Sequence, residues 1–456
     1  MAVAVPATAG TGITALSARQ IAARVRGGEL HPIEVARASL ERIRALDGGL
    51  GAFTAVRERE ALQEAEETAG RNDLGTLTLA GVPVAVKENT DVAGLPTLHG
   101  SRSTSRVAVS QDDEVVRRLR AAGCTVVGKT AMPELAIWPF TEGPGFATRN
   151  PIDPSRICGG SSGGSAVAVA TGMAALATAT DGGGSIRIPA ACCGLVGMKT
   201  TPGSVSLPGG ASEHWYGLSV AGPLARDVHD AALMLDVLAG RNTYRDVRPV
   251  DGTLRVAVST RHPVTGAPVT REVKDAVRVV ADRLAAAGHD VVEASPPYSL
   301  LPQAFLRCYL AGIAEDVDAL SLDVGALEAR TRGMVRRGRW LRAHGYARPA
   351  RSYADAIRLR RWISRFDVLV APVLAYAPPH VGRWSRGGWL PTSLSVARWM
   401  GFCPPWNVAG CPSLSLPVTR DASRLPTAVQ IVGRPDTEAQ LFSVGAMIEG
   451  AAGTEA

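Results

Sequence analysis

Hydrophobic and polar residues follow two periods along this chain, and these periods mark helices and strands in alternation. Apolar residues recur every three or four positions after Pro32 and again over 271–287, which predicts amphipathic helices. Short unbroken apolar runs predict buried strands at 81–90, 124–127 and 174–181. The order strand, helix, strand over 254–293 is a βαβ unit, which implies parallel strand pairing. The pattern therefore predicts an α/β protein.

Capping residues and breaks in periodicity set the ends of further elements. Ser17 opens a capping-box pattern for a helix that runs to Arg26, and a polar helix is expected over 58–68. In the C-terminal part, the pattern predicts a strand at 366–372 and a strand pair formed by 409–418 and 430–433. A closing helix is predicted at 437–450. Between 296 and 400 regular patterns fade, and arginine alternates with glycine and tryptophan over 336–342. That run is either a surface helix with stacked Arg and Trp or a lid that faces substrate.

The composition is that of a globular protein, with 46% hydrophobic and 20% charged residues in 456. The net charge is +7 and the pI is near 9.2, but the basic residues are spread among 42 acidic ones without an aromatic-interleaved stripe. A nucleic-acid partner is therefore not expected. No run has the length and hydrophobicity of a membrane span, and the apolar segment 1–15 has no positive charge ahead of it. A signal peptide is thus weakly supported, and we expect a cytoplasmic protein.

The seven cysteines add no metal or disulfide framework to this picture. They lie at 124, 158, 192, 193, 308, 403 and 411, which is not the spacing of a metal site. Adjacent Cys192 and Cys193 do not suit a conventional set of disulfides. We therefore expect buried thiols in a reducing compartment, with no metal and no cofactor.

Two glycine-serine turns are the most informative stretch of the chain. Gly159–Gly164 and Gly182–Ser185 flank one helix of small residues and one apolar strand. Flexible linkers are the alternative interpretation, but linkers do not alternate with apolar core segments. A strand, a glycine turn and a helix in that order direct backbone N–H groups toward a reacting atom. The two turns therefore predict a site for a developing anion.

Lysine is rare here, and one lysine lies where it is chemically useful. The chain has only four lysines among 49 basic residues, and Lys87 follows the apolar run Val84–Val86. It is either a strand-end lysine that reaches water or a desolvated, neutral base. A neutral lysine can draw a proton from a serine hydroxyl, so Lys87, Ser161 and Ser185 form a candidate proton relay. The N–H groups of Gly182, Gly183 and Gly184 would then receive the oxyanion.

Two other catalytic patterns also match the sequence. Gly160–Gly164 fits the nucleophile elbow G-x-S-x-G with Ser162 as nucleophile, for which His344 and His380 are the candidate bases. The elbow requires a preceding buried strand, whereas NPIDPSRIC has the composition of a turn. Gly123–Thr130 fits the phosphate-loop pattern, but β-branched residues fill its loop positions and predict a strand there. Both patterns are therefore disfavoured.

Taken in order, eight segments of this chain resemble the amidase signature family, and the similarity extends from about residue 15 to 450. The segments are GVPVAVKENTDVAGLPT, GKTAMPELA, NPIDPSRICGGSSGGSA, DGGGSIRIPAACCGLVGMKTTPG, GPLARDVHDAALMLDVLAG, FDVLVAPV, NVAGCPSLSLPV and AVQIVGRPDTEAQL. The spacing of 24 residues between Ser161 and Ser185 is also that of the family. The resemblance is specific because the segments follow in the same order along most of the chain and the serine spacing is kept.

By motif position, the resemblance implies a role for each residue of the relay. Lys87 is the base, Ser161 the relay serine and Ser185 the acylated nucleophile, and a cis peptide bond is implied before Ser161. The sequence departs from the family at Gly182, where many members carry Thr or Ile. We expect that this missing side chain loosens the turn or widens the pocket.

The implied activity is hydrolysis of a small-molecule carboxamide to a carboxylate and ammonia or an amine. Neither a nucleic acid nor a membrane is expected as partner, and a homodimer is the oligomeric state to test. A glutamine amidase subunit of a tRNA-dependent amidotransferase, an acyltransferase and a non-catalytic scaffold are the alternatives. The segment WPFTEGPGF favours a stand-alone amidase over the amidotransferase subunit.

The implied fold is one α/β domain over 1–456, with a large mixed sheet wrapped by helices. The catalytic core is expected at about 80–240, and a variable segment at about 296–400 is expected to cover the substrate. Trp138 is the candidate for the substrate pocket, where an aromatic ring would favour an apolar acyl group.

Overall fold

A mixed sheet of eleven strands runs through the protein and has hydrophobic cores on both faces. It is seen in a computed structural model that describes residues 12–385, 387–420 and 425–453. Two further strands, β4 and β5, form a separate hairpin. The strands of these residues are β1 Phe53–Val56, β2 Pro83–Lys87, β3 Thr125–Thr130, β4 Glu142–Gly143, β5 Phe146–Ala147, β6 Leu176–Asp181, β7 Val196–Lys199, β8 Val220–Ala225, β9 Arg255–Val258, β10 Asp290–Glu293, β11 Val368–Pro372, β12 Ser413–Arg420 and β13 Pro426–Gly433.

Helices account for most of the remaining regular structure. The α-helices within the described ranges are α1 Ala18–Arg26, α2 Pro32–Leu50, α3 Glu58–Ala69, α4 Glu114–Ala121, α5 Gly163–Ala170, α6 Arg187–Cys193, α7 Val228–Ala239, α8 Arg271–Ala286, α9 Leu301–Ala319, α10 Ala329–Ala343, α11 Ala354–Ile363, α12 Trp389–Met400, α13 Pro404–Ala409 and α14 Glu438–Gly453. The capping box predicted at Ser17 is confirmed, because its hydroxyl accepts from the N–H of Gln20 and the Gln20 side chain accepts from the N–H of Ser17.

The strand order explains why the sheet is mixed. Across the sheet the order is β1, β3, β2, β6, β8, β7, β12, β13, β11, β9, β10. Parallel pairing joins β3, β2 and β6 on one side, and β10, β9 and β11 on the other. The other neighbours are antiparallel. The predicted βαβ unit is confirmed as β9, α8 and β10, and the predicted strand pair as β12 and β13.

The pairing of β2 with β6 determines where the polar residues of the signature meet. The two strands are parallel neighbours, with Ala85 opposite Ala177. They therefore end at the same edge of the sheet, β2 with Lys87 and β6 with Asp181. The carboxyl ends of parallel strands are where α/β proteins place their sites.

The two faces of the sheet bury two separate cores. In β11, Leu369 and Ala371 belong to one core and Val368 and Val370 to the other, as the alternation of side chains along a strand requires. The first core includes α5, α6 and α9 to α13, and the second includes α1, α4, α7, α8 and α14. The helices of the 296–400 segment thus lie on the same face as the small helices of the signature.

Residues 296–400 form regular structure, although the hydrophobic patterns of the sequence fade there and predicted only the strand at 366–372 and, as one alternative, a surface helix at 336–342. The segment contains the long helices α9 and α10, the helices α11 and α12, and the strand β11. Every residue of α9 from Cys308 to Ala314 is buried, which removes the polar positions that reveal a helical period. In α10, Trp340 is 40% exposed and Arg337 lies over its ring at 4.2 Å, which matches the surface-helix alternative.

Most of the N-terminal segment considered as a signal peptide lies outside the described residues. Within residues 12–385, 387–420 and 425–453, no helix combines the length and the apolar character needed to cross a bilayer.

All seven cysteines are buried free thiols, as predicted.

The close approach of α5 to its neighbours gives the first testable prediction. A Cβ atom at Gly164 would lie 2.4 Å from the carbonyl oxygen of Ala52 and 2.5 Å from the N of Ala131, and backbone atoms cannot move aside easily. Gly164→Ala should lower the free energy of unfolding by about 1–3 kcal/mol or more. Urea denaturation monitored by circular dichroism measures this change.

Gly49→Ala is the matched control, because Gly49 is exposed in α2 and its Cβ would meet nothing within 4 Å. It should raise stability by about 0.5–1 kcal/mol through helix propensity. Equal stability of the two variants would contradict the packing described for α5.

Candidate active site

Lys87 lies at the centre of a buried hydrogen-bond group formed by the ends of two strands and one glycine turn. Its Nζ donates to Ser161 Oγ at 2.8 Å and to Thr180 Oγ1 at 2.8 Å. Its backbone N–H donates to Thr178 Oγ1 at 2.9 Å, across from β2 to β6. Lys87 and Ser161 have no exposed surface. The structure thus brings the predicted base and the predicted relay serine into direct contact.

The environment of Lys87 favours its neutral form. Burial lowers the pKa of Lys87 to about 7, while the charge of Asp181 partly opposes that shift. The two side-chain partners are hydroxyl groups, which can accept from the amine without requiring a charge on it. At neutral pH a large fraction of this lysine can therefore accept a proton, and the alternative of a lysine that reaches water is excluded by its burial.

The two glycine-serine turns meet directly. The backbone N–H of Ser162 donates to the carbonyl of Ser185 at 3.3 Å, which places the second turn against the first. The peptide bond between Gly160 and Ser161 is cis, as the resemblance implied. Ser185 is partly exposed, whereas Ser161 is completely buried.

Asp181 organises the second turn with its carboxylate. Oδ1 accepts from the N–H of Gly184 at 2.6 Å, and Oδ2 accepts from the N–H of Ile186 at 3.2 Å. Arg187 donates to both oxygens, from Nε at 3.0 Å and Nη2 at 3.1 Å, and Asn407 Nδ2 donates to Oδ1 at 2.8 Å. Asp181 and Arg187 form an ion pair that is completely buried.

The charges of this pair hold each other in the ionised state. Burial alone would raise the pKa of Asp181, but the charge and hydrogen bonds of Arg187 keep it well below its usual range. Arg187 also donates to Cys403 O, Gln430 Oε1 and Asn407 Oδ1. Its guanidinium therefore has partners on every side, as a buried charge requires.

The predicted oxyanion donors differ in availability. The N–H of Gly184 is already bonded to Asp181, so in this structure it is not free to bind an oxyanion. The N–H groups of Gly182, Gly183 and Ser185 make no hydrogen bond to any described residue. The geometry therefore leaves these three as the available donors of the turn, whereas Gly184, at φ +129°, is held by Asp181.

The two competing patterns are not supported by the geometry. Ser162 Oγ donates to Thr180 O at 3.3 Å, His344 stacks on exposed Trp340, and His380 contacts Ser155. No described histidine is bonded to Ser162. The phosphate-loop pattern lies in β3, where Gly128, Lys129 and Thr130 are strand residues. Among the described residues, no group of three or more His, Cys, Asp or Glu could hold a metal ion.

Comparison with known proteins identifies the family of this chain. The family model described as Amidase matches residues 34–442, which is most of the chain. The chain belongs to the amidase signature family. It is an amide-cleaving hydrolase with a single α/β domain, as the sequence predicted.

The matches between this amidase and its relatives cover nearly the whole length of both proteins. A Mycobacterium tuberculosis protein named as an amidase, AmiB2, is 43% identical over 428 residues, covering 90% of this chain and 91% of that protein. A glutamyl-tRNA(Gln) amidotransferase subunit of Anaeromyxobacter is 35% identical, and the match covers 95% of this chain and 96% of that protein. The structure of 6-aminohexanoate cyclic dimer hydrolase with its substrate superimposes with a TM-score of 0.86 at 29% identity, covering 97% of this chain and 98% of that one.

The environment of Gly182 corrects one expectation about this amidase. A Cβ at Gly182 would lie 2.7 Å from Cε3 of Trp215 and 3.2 Å from Ser219 Oγ. The space of the missing side chain is therefore filled by another residue, and the pocket is not widened there. On the other side of the turn, a Cβ at Gly183 would lie 2.8 Å from Cζ of Phe305.

Trp138 lies in the hydrophobic core of the amidase. It is 2% exposed, stacks on Phe140 with ring centroids 5.6 Å apart, and is covered by Arg330 at 5.3 Å. Its part in the substrate pocket stays a prediction. The aromatic residues that the structure places beside the catalytic turn are Trp215 and Phe305, which sequence reasoning missed.

Other residues of the site were also missed by sequence reasoning. Thr180, the second acceptor for Lys87, could have been suspected because it is the strand residue directly before Asp181. Asn407 and Gln430 lie more than 200 residues from Arg187, and only their presence in two of the resembling segments, NVAGCPSLSLPV and AVQIVGRPDTEAQL, pointed to them. Their contacts with Arg187 could not be derived from periodicity.

The buried ion pair gives the second prediction. Asp181→Asn should leave the Arg187 guanidinium buried without its counter-charge and lower the free energy of unfolding by about 3–5 kcal/mol. Chemical denaturation at pH 7.5 measures the loss. Asp153→Asn is the control, since Asp153 pairs with Arg156 at 3.1 Å in a partly exposed position and should change stability by less than about 1 kcal/mol. Similar losses in both variants would show that the buried ion pair contributes no more to the free energy of unfolding than the partly exposed one.

Proposed function

We propose that this amidase hydrolyses a carboxamide through a Ser185 acyl-enzyme, with Lys87 as the base and Ser161 as the proton relay. The observation that carries the proposal is the contact of 2.8 Å between Lys87 Nζ and Ser161 Oγ in a fully buried site. The meeting of the two turns at Ser162 and Ser185 supports it further. A buried amine paired only with hydroxyl groups is the environment that a general base of this kind requires.

In the acylation step, Ser185 Oγ attacks the carbonyl carbon of the amide as its proton passes to Ser161 Oγ. The proton of Ser161 passes at the same time to neutral Lys87. The carbonyl oxygen becomes an oxyanion, which the N–H groups of Gly182, Gly183 and Ser185 are free to bind. When the C–N bond breaks, Lys87 returns its proton through Ser161 to the leaving nitrogen, which departs as ammonia or an amine.

In the deacylation step, water takes the place of Ser185 as the nucleophile. It attacks the ester carbonyl, and Lys87 accepts its proton along the same path. Collapse of the second tetrahedral intermediate breaks the bond between the acyl carbon and Ser185 Oγ, and the proton returns to Ser185. The products are a carboxylate and the free enzyme, so no cofactor is consumed.

Thr180 has a positioning role in this scheme. Lys87 makes one hydrogen bond to Ser161 and one to Thr180, and the second holds the amine in place beside Ser161. Asp181 is itself saturated by Arg187, Asn407 and backbone donors, so it is not available as the proton acceptor. This division leaves Lys87 as the base.

The glutamine amidase component of an amidotransferase is a second candidate that uses the same chemistry. It is favoured by the 35% identity to the Anaeromyxobacter protein over nearly the full chain. The higher identity to AmiB2, 43%, favours a stand-alone amidase. Glutaminase activity that appears only with copurified partner proteins would identify the amidotransferase function.

The third prediction concerns the nucleophile. A fluorophosphonate should give one adduct on wild type, detected by intact mass and mapped to Ser185, and none on Ser185→Ala. Lys87→Ala should lower kcat/KM by about 10²–10⁴-fold, and Ser161→Ala by somewhat less, because a positioned general base contributes that much. Ser162→Ala is the control and should still be labelled. An active Lys87→Ala enzyme, or an adduct on Ser162, would refute the relay.

The fourth prediction is the pH dependence of the reaction. Since the pKa of Lys87 is lowered to about 7, its neutral form predominates above that pH and kcat/KM should rise with pH to a plateau. The midpoint should lie near pH 7, and activity should fall as Lys87 becomes protonated at lower pH. Lys87→Arg keeps a positive charge that cannot be removed and should be inactive across the range. A profile that is flat from pH 5 to 9 would contradict a lysine base.

A further inference from the structure

A chain of polar side chains connects helix α9 to the catalytic turn. His214 Nε2 lies 2.9 Å from Asp316 Oδ1, and His214 Nδ1 lies 2.7 Å from Ser219 Oγ. Trp215 Nε1 donates to the other oxygen, Asp316 Oδ2, at 2.7 Å. Because a carboxylate only accepts, His214 carries its hydrogen on Nε2 and can accept from the Ser219 hydroxyl on Nδ1. Asp316 therefore holds two consecutive residues, His214 and Trp215.

Trp215 is enclosed between the catalytic turn and α9. Its ring occupies the space beside Gly182, where a Cβ would be only 2.7 Å away. On the helix side, a Cβ at Gly312 would lie 2.4 Å from Trp215 Cδ1, so only glycine leaves room for the indole there. Tyr309 closes the site with its ring edge, at a centroid distance of 5.1 Å. The indole thus fits between two glycines.

The residues of α9 that lie toward the turn recur at helical spacing. Phe305, Tyr309, Gly312 and Asp316 are separated by four, three and four residues, so they lie in one stripe along the helix. Phe305 reaches Gly183, and Asp316 anchors Trp215 against Gly182. One helix face therefore supports both glycines whose N–H groups are available for an oxyanion.

The backbone around Trp215 is held in an unfavourable conformation. Trp215 and Tyr216 have φ values of 51° and 57°, in the left-handed region that bulky residues rarely adopt. Such a conformation persists only when the surroundings enforce it, and it occurs most often at functional sites. The hydrogen bonds of His214 and Trp215 to Asp316 and of Ala350 N–H to Tyr216 O supply that enforcement.

From these contacts we propose that Trp215 is a positioning residue for the oxyanion turn, and that Asp316 acts through Trp215. The indole takes the place of a side chain at position 182 and keeps the N–H groups of Gly182 and Gly183 aligned. The inference rests on the proposed function, because it assigns a role in binding the oxyanion of that reaction. The hydrogen-bonded chain formed by Ser219, His214 and Asp316 also has the order of a serine-hydrolase triad. Ser219, however, is only 7% exposed and faces the turn.

A size exchange between positions 182 and 215 tests the proposal. Gly182→Thr should lower kcat about 100-fold, because the turn must move away from the indole and a displacement of about 1 Å is enough for such a loss. KM should change little, since the donors act on the transition state. Trp215→Ala should lower kcat about tenfold, and Gly182→Thr/Trp215→Ala should recover about tenfold or more over Gly182→Thr.

The role of Asp316 is tested by a second double-mutant cycle. Asp316→Asn should lower kcat about tenfold in the wild type and have no effect in Trp215→Ala, because it acts through the indole. Asp318→Asn is the matched control on the same helix, where the carboxylate pairs with Arg339 and Arg342, and it should behave as wild type. Trp362→Ala controls for loss of a buried indole and should not rescue Gly182→Thr.

The readouts separate this inference from the proposed function. Fluorophosphonate labelling of wild type at Ser185 is established first, and the melting temperature of each variant confirms that it is folded. If Ser185 is labelled and Gly182→Thr retains wild-type kcat, or the folded double variant shows no recovery, the positioning role of Trp215 is wrong while the proposed function stands. An Asp316→Asn effect that persists in Trp215→Ala, or an adduct on Ser219, would also overturn it.

Discussion

The buried ion pair of Asp181 and Arg187 is the interaction on which the rest of the site depends. Both side chains are completely buried, and a buried charge is tolerated only when each of its polar atoms has a partner. Here Asp181 accepts from the backbone of Gly184 and Ile186, while Arg187 reaches Asn407 and Gln430. One charge pair therefore fixes the glycine turn and joins it to strands and helices from the far end of the chain.

The saturation of Asp181 has a consequence for Lys87. A carboxylate near a lysine usually favours the charged amine, and Asp181 does act in that direction. Because its hydrogen bonds are all directed to other partners, its effect on Lys87 is only the long-range one, and burial determines the outcome. The same residue thus shapes the turn and leaves the pKa of Lys87 lowered to about 7. The parallel pairing of β2 with β6 makes this possible, since it brings Lys87 and Asp181 to one edge of the sheet.

Close packing of small residues allows the turns and the covering helices to meet. Every residue of α5 is buried, and the glycines of the two turns approach backbone or ring atoms at distances that a Cβ would not permit. Helix α9 reaches Gly183 with Phe305, and the ring of Trp215 lies beside Gly182. Apolar rings beside the turn strengthen a hydrogen bond made there to a developing charge.

The sequence by itself determined the local features of this amidase. Periodicity placed most helices and strands, burial of a lysine in an apolar strand indicated a base, and the glycine-serine turns indicated an anion site. The predicted helices and strands are confirmed because they depend on residues close together in the chain, while the base and the anion site stay predictions. Only the tertiary structure showed that the N–H of Gly184 is bonded to Asp181, that Trp215 fills the space at Gly182, and that α9 is a helix. The last two depend on contacts between segments distant in the chain, whereas Gly184 and Asp181 are only three residues apart and meet because of the conformation of the turn. In α9, burial of every residue from Cys308 to Ala314 removes the polar positions that would have revealed the helical period.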